Sequence, residues 1–202
     1  MIYRAVGNRC AVDLNDLQLP ISLDQALSIL EQIGCKRIEI VLISLARSVL
    51  GATYRRAARL KEAPQVFDCS SLVKWLYGQK GIWIPRRSIQ QREMGTPVNP
   101  CDIRDGDIVF VSGHIDYYYS DPTDGVGHVG IATRDGTVVH AANRKVGVIE
   151  SPYEEFTSKG LRGIRRFIPE TREVYTFETP PEREVEWSDD FRWIILQNLP
   201  KG

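Results

Sequence analysis

The chain has 202 residues, 43% of them apolar, with 26 basic and 26 acidic side chains and three histidines. That length holds one sizeable domain, or one domain with a small extension, and the apolar share is enough for a core. The even charge balance gives no electrostatic ground for expecting nucleic acid or an acidic membrane as partner, and the cluster Arg162, Arg165 and Arg166 reads as a solvated face.

The first twenty residues, "MIYRAVGNRCAVDLNDLQLP", lack the apolar run and small-residue cleavage site of a signal peptide. No stretch is long and apolar enough for a membrane span. A cytoplasmic chain, or one delivered by a partner system, is therefore expected. Residues 22 to 33 are predicted helical: Ser22 and Gln25 form a capping box, Leu23, Ala26, Leu27, Leu30 and Ile33 share a face, and Gly34 ends the run. Residues 36 to 50 are read as a second helix with Ile38, Val41, Leu42, Leu45 and Val49 as its buried stripe, stopped by Gly51. A basic connector follows, "ATYRRAARLKEAPQ". The third predicted helix runs from Ser70 to Tyr77 and buries Leu72, Val73, Leu76 and Tyr77.

After a polar segment containing "IPRRS" the pattern turns to strands. "GDIVFV" reads as a buried strand, and "HVGIAT" and "TVVHAA" flank the turn "RDG" as a hairpin. Helices first and an antiparallel sheet after them is the order of an α+β domain. The stretch "SGHIDYYYSDPTDG", 112 to 125, is a long polar and aromatic loop, of the kind that carries function. Beyond residue 169 the chain is acidic and punctuated by proline, and it closes on the apolar "FRWIILQNLPKG".

None of the four cysteines forms a C-x-x-C pair, so free thiols are expected, with Cys10, Cys35 and Cys101 as small apolar filler. Cys69 differs. In "VFDCSSLVKWLY" it follows Asp68, a good N-cap, and falls in the first turn of the third helix. A helix N-terminus favours thiolate over thiol, and its free N–H groups can receive an oxyanion. Such a nucleophile needs a base. A three-residue loop 134–136, with Gly136 left-handed, pairs Thr133 with Thr137 and, counting outward, Gly130 with His140. His128 then lies diagonal to His140 on the same face. A two-residue loop would put the two imidazoles on opposite faces. With the first turn type, His128 is placed to take the proton of Cys69 and His140 to orient His128. His114 reads as a loop residue. "GVGHVG", 125 to 130, fits G-x-G-x-x-G but lacks the preceding strand and following helix that a dinucleotide site needs.

The successive motifs "FDCSSLVKWLY", "IPRRSIQQ", "IRDGDIVFV" and "GHVGIATRDGTVVHAAN" resemble those of the NlpC-type (NlpC/p60) cell-wall cysteine peptidases, in order, over roughly residues 46 to 152. The resemblance implies a papain-like fold with N-terminal helices packed on an antiparallel β-sheet. It implies hydrolysis of amide bonds in peptidoglycan stem peptides, typically after γ-linked D-glutamate. It makes Cys69 the nucleophile, His128 the base and His140 the third, polar residue. Tyr54, Asp68, Ser70 and Ser88 resemble pocket-lining residues, which in some members read a free amino terminus. It implies no metal or organic cofactor. Where the family has a glycine-rich "Y-x-W-G-G" segment, this chain has "TYRRAARLKEAP". The insertion with His114, Tyr117, Tyr118 and Tyr119 is expected to wall the cleft. The expected division is a helical extension over 1–45, a catalytic domain over 46–169, and a tail over 170–202 that packs on the domain. A binding module without turnover, and an acyl transferase or hydrolase acting on another amide or ester, are the rival readings.

Overall fold

The computed structural model describes residues 1–113 and 125–200. Most of the 112–125 insertion, with His114 and its three tyrosines, lies outside the described residues. The chain divides into two compact units, one of Met1–Ile40, Tyr77–Trp83 and Ile168–Gly202, the other of Val41–Leu76 and Ile84–Phe167. In chain order the elements are β1 (Arg9–Val12), α1 (Leu23–Gln32), β2 (Lys36–Ile38), α2 (Leu42–Ser48), β3 (Thr53–Tyr54), β4 (Val66–Phe67), α3 (Cys69–Gln79) and α4 (Ser88–Arg92). There follow β5 (Thr96–Pro97), β6 (Ile108–Ser112), β7 (Val126–Ala132), β8 (Thr137–Asn143), β9 (Gly147–Pro152), α5 (Tyr153–Thr157), β10 (Leu161–Arg166), β11 (Tyr175–Glu178) and α6 (Asp190–Gln197). Among the described residues no helix is long and apolar enough to cross a membrane.

In the first unit the two ends of the chain share an antiparallel sheet of order β1-β11-β2. Leu30 of α1, Phe177 of β11 and Phe191 and Ile195 of α6 are buried in one apolar cluster with Cys10 and Cys35. Helix α1 has the expected capping box: the Ser22 hydroxyl accepts from the Gln25 N–H, and the Gln25 side chain accepts from the Ser22 N–H. Gly34, at φ +91°, ends it. Two expectations fail in this region. Residues 36 to 50 are not one helix, because Lys36, Arg37 and Ile38 pair with Glu178, Phe177 and Thr176 of β11. Helix α2 starts only at Leu42, with Val41 exposed and Leu42, Ile43 and Ala46 buried. The 1–45 segment is not purely helical, since β1 and β2 lie in it, and they share one sheet with β11 of the 170–202 segment.

The second unit is built on a six-stranded antiparallel sheet of order β5-β10-β6-β7-β8-β9. Strand β6 is buried along Ile108, Val109, Phe110 and Val111, as its β-branched run predicts. Helix α4 lies against β7 and β10. Helix α3 begins one residue before its predicted start and buries Leu72, Val73, Leu76 and Tyr77. Cys101 is exposed, so it is not core filler.

The arginines of β10 are not a solvated face. The Arg166 guanidinium donates from Nε to Asp107 Oδ1 at 2.8 Å and from Nη2 to Oδ2 at 2.7 Å, and the Asp107 side chain is only 2% exposed. Arg162 donates to Ser112 Oγ, and Arg165 to the Arg92 carbonyl. A bidentate fork on a buried carboxylate ties β10 to the segment that leads into β6. Replacing Arg166 by Met strands that charge. The expected loss is about 3 kcal/mol, read as a lower denaturant midpoint at unchanged m-value. A midpoint within error of wild type would show that the pair contributes nothing net.

Candidate active site

Strand β3 pairs in parallel with β4, setting Tyr54 beside Phe67. The chain then passes through Asp68 into α3, whose first residue is Cys69. Asp68 caps that helix: its Oδ1 accepts the Ser71 N–H at 2.8 Å, while the Asp68 N–H donates to Ser71 Oγ at 2.8 Å. This reciprocal cap satisfies orphan donors of the first turn and fixes the direction in which Cys69 points. The backbone N–H groups of Val129, in β7, and Ser70 are directed at the thiol and favour the thiolate. Burial acts the other way and is larger. With the Asp68 carboxylate adding to it, burial pushes the Cys69 thiol up to about 12, and Arg86 offsets only part of this. Burial thus outweighs the thiolate-favouring pull expected of the helix N-terminus. The resting group is a thiol that needs a base.

The hairpin supplies two imidazoles. Thr133 N–H donates to the Thr137 carbonyl at 2.9 Å, and Gly136 sits at φ +74°, so the loop is the three-residue type. The register Ala132↔Val138 and Ile131↔Val139 continues to Gly130 opposite His140. A Cβ on Gly130 would lie 2.4 Å from Val138 Cγ1 and 3.0 Å from His140 Cβ, so glycine is what lets the His140 side chain settle over this position. His128 Nε2 and His140 Nδ1 are 2.8 Å apart, with the rings edge to face at 82°. Phe156 of α5 packs on both rings, 5.5 Å from His128 and 4.8 Å from His140. Burial, with the Lys159 charge adding to it, holds His140 down at about 4. A neutral imidazole has one donor and one acceptor. His140 Nε2 lies 3.2 Å from Ser151 Oγ. Assigning the His140 proton to Nε2, toward Ser151, leaves Nδ1 to accept from His128 Nε2–H. The lone pair of His128 is then on Nδ1.

The sequence-predicted residues gather unevenly. Val129, whose N–H reaches the Cys69 sulfur, is the chain neighbour of His128. Tyr54 is close enough to Cys69 and Asp68 for both to act on it. Its hydroxyl is raised by burial first and by those two groups after it. Asp68 and Ser70 are buried and joined, Ser70 Oγ donating to Asp68 Oδ1 at 3.3 Å. Ser88 opens α4 and is half-buried. Sequence reasoning missed Ser151, because β9 carries no turn signal or alternation strong enough to announce it. It also missed Phe156, Arg86 and Gln91, although the last two stand inside a quoted motif. Gln91 is fully buried and donates to the carbonyls of Ser70 and Pro85, pinning α4 to the first turn of α3. Ala57 has φ +57°, and with Ala58 it stands where the "Y-x-W-G-G" pattern has its two glycines. The backbone keeps a glycine's conformation there without the glycine. Among the described residues no group of three or more His, Cys, Asp or Glu is placed to hold a metal ion.

The model of the NlpC/P60 family matches residues 51–166. A probable endopeptidase of Corynebacterium glutamicum is 39% identical over 109 residues, covering 54% of this chain and 46% of that protein. A gamma-DL-glutamyl hydrolase of Bacillus subtilis is 33% identical over 102 residues, covering 50% of this chain and 23% of that protein. Among solved structures, an NlpC/P60 family protein from Bacillus cereus superposes with a TM-score of 0.55 at 27% identity, covering 64% of this chain and 40% of that one. The chain thus matches less than half the length of each of these relatives. The matched segment holds α3, the six-stranded sheet and every residue of the site named above. Its mixed α+β architecture is the papain-like fold of these neighbours. The chain belongs to the NlpC/P60 family of cysteine peptidases.

Proposed function

We propose that this chain hydrolyses an amide bond in peptidoglycan-derived stem peptides, at the bond between γ-linked D-glutamate and the diamino acid, with Cys69, His128 and His140 as its catalytic group. The observation that carries the reading is the 2.8 Å contact of His128 Nε2 with His140 Nδ1, beside a thiol that receives the Val129 N–H. The γ-glutamyl assignment draws on the Bacillus subtilis relative, whose name describes a hydrolase of γ-linked glutamyl bonds.

The chemistry follows from the tautomers. His128 Nδ1 takes the Cys69 proton as the sulfur attacks the carbonyl carbon, so no free thiolate is needed beforehand. The carbonyl π pair moves onto oxygen, and the Cys69 N–H at the start of α3 receives it. His128, now an imidazolium, gives its proton to the leaving nitrogen as the C–N bond breaks. Water, deprotonated by His128, then releases the acyl group from sulfur. His140 stays neutral throughout and accepts from His128 Nε2–H, which holds the ring and steadies its charged form. Tyr54, Asp68, Ser70 and Ser88 are proposed to line the side of the cleft that takes the N-terminal part of the substrate.

Mass spectrometry of a muropeptide mixture tests the reading. Wild type should shorten stem peptides at the D-glutamyl bond, and Cys69→Ala should leave them intact while keeping the native circular dichroism spectrum. Equal cleavage by both proteins would sink the nucleophile assignment. His140→Ala should lower kcat/KM by roughly 10²-fold rather than abolish turnover. A wild-type value would make His140 structural only.

His140 also sets a pH dependence of stability. Its folded value of about 4 lies below its unfolded value of 6.5. Between these the unfolded chain binds more protons, so the contribution of His140 is complete above 6.5 and is lost as pH falls toward 4. The loss approaches about 3 kcal/mol. Denaturant midpoints of wild type and His140→Gln, compared across pH 7 to 4, should converge as the pH drops. Parallel curves would show that His140 does not titrate there.

A further inference from the structure

The Asp68 carboxylate is held by more than its helix. The Arg86 guanidinium reaches it from the segment before α4, with Nη1 3.1 Å from Oδ1 and Nη2 2.5 Å from Oδ2. The same Nη1 donates to Ser70 Oγ at 2.8 Å, and Nη2 donates to the Ala58 carbonyl at 2.7 Å. One rigid fork thus ties together the residue before Cys69, the residue after it, and the loop that follows Tyr54. The carboxylate side chain is 9% exposed and has four donors: two guanidinium nitrogens, the Ser71 N–H and the Ser70 hydroxyl. Its charge is matched by the Arg86 guanidinium.

We propose that Arg86 is a positioning residue for this site: by clamping Asp68 and Ser70 it neutralises the carboxylate next to Cys69 and fixes the first turn of α3, and so keeps the thiol reactive. The assignment deepens the proposed function and rests on Cys69 being the reactive group. Asp68 thereby serves as helix cap and as counter-charge to Arg86 at the first turn of α3. The other charged or titratable groups near the thiol are His128 on β7, with His140 behind it, and Tyr54 on β3, which Arg56 and Arg144 face in turn. Arg86 is the one cation among them that is hydrogen-bonded to Asp68 in the described residues.

The experiment is alkylation by iodoacetamide across pH 7 to 10, read peptide by peptide, with exposed Cys101 as internal standard. It needs no substrate, so it stands apart from the muropeptide assay: absent cleavage would sink the proposed function, and an unmoved alkylation profile would sink this one. Arg86→Met should slow Cys69 about tenfold relative to Cys101, equivalent to one unit along the pH axis. Asp68→Asn, which still caps a helix, should act in the opposite direction, and the double variant should return toward wild type. Arg86→Lys keeps the charge and loses the fork, and should fall between Arg86→Met and wild type. Should Arg86→Met fail to fold, Arg86→Gln takes its place with the same expected shift. Superimposable Cys69 profiles in wild type and the folded neutral variant, or a double variant no faster than the single one, would overturn the proposal.

Discussion

The site hangs on one buried carboxylate. Asp68 follows β4, caps α3 and receives Arg86, so the first turn of α3 and the segment before α4 meet on a single pair of oxygens. A charge this deep is tolerable only when fully bonded. The donors it gathers are the ones that set the first turn of α3, and Cys69 is in that turn. The position of the thiol is thus a by-product of satisfying its neighbour. The same logic recurs at Asp107, where Arg166 closes a second buried carboxylate at the entry to β6. In both cases an arginine from a later segment completes what the local backbone begins.

Two opposing fields act on the sulfur, and their balance shapes the chemistry. The N–H groups of Ser70 and Val129 draw the proton off, while burial and the adjacent carboxylate hold it on. Burial wins at rest. In the proposed mechanism, proton transfer to His128 therefore accompanies attack. That puts the weight on the orientation of the imidazole, which the edge-to-face contact with His140 and the wall of Phe156 provide. His140 does this as a neutral group because its own surroundings suppress its charge. In that proposal the two histidines of one hairpin have different duties, set by their environments.

Much of this was legible in the sequence where the pattern was local. The capping box at Ser22, the cap at Asp68 and the apolar stripe of α3 depend on residues within four positions of each other. The register of the β7–β8 hairpin could be counted outward from one turn. What escaped was whatever depended on distant partners. Lys36 to Ile38 have a helix-compatible pattern, yet β11, more than 130 positions further along, recruits them as a strand. Arg86 looked like any charged residue in a polar segment, because its role is defined by Asp68 and Ala58. Ser151 became visible only when β9 placed it two residues along from the partner of His140, on the same face of the sheet. The arginines of β10 read as solvated because charge alone does not disclose a buried acceptor.

The three-residue turn at 134–136 has a bearing on how this fold can vary. It is exposed, polar and short, which ordinarily marks a place where chain length is free to drift. Here it is not free. Adding or removing one residue would move β8 by a single step, and His140 would swing to the opposite side of the sheet with Ala141 or Val139 in its place. Changes in whole two-residue increments, or compensated by a bulge, would keep the imidazole facing its partner. Length variation in this loop is therefore quantised by the pleat.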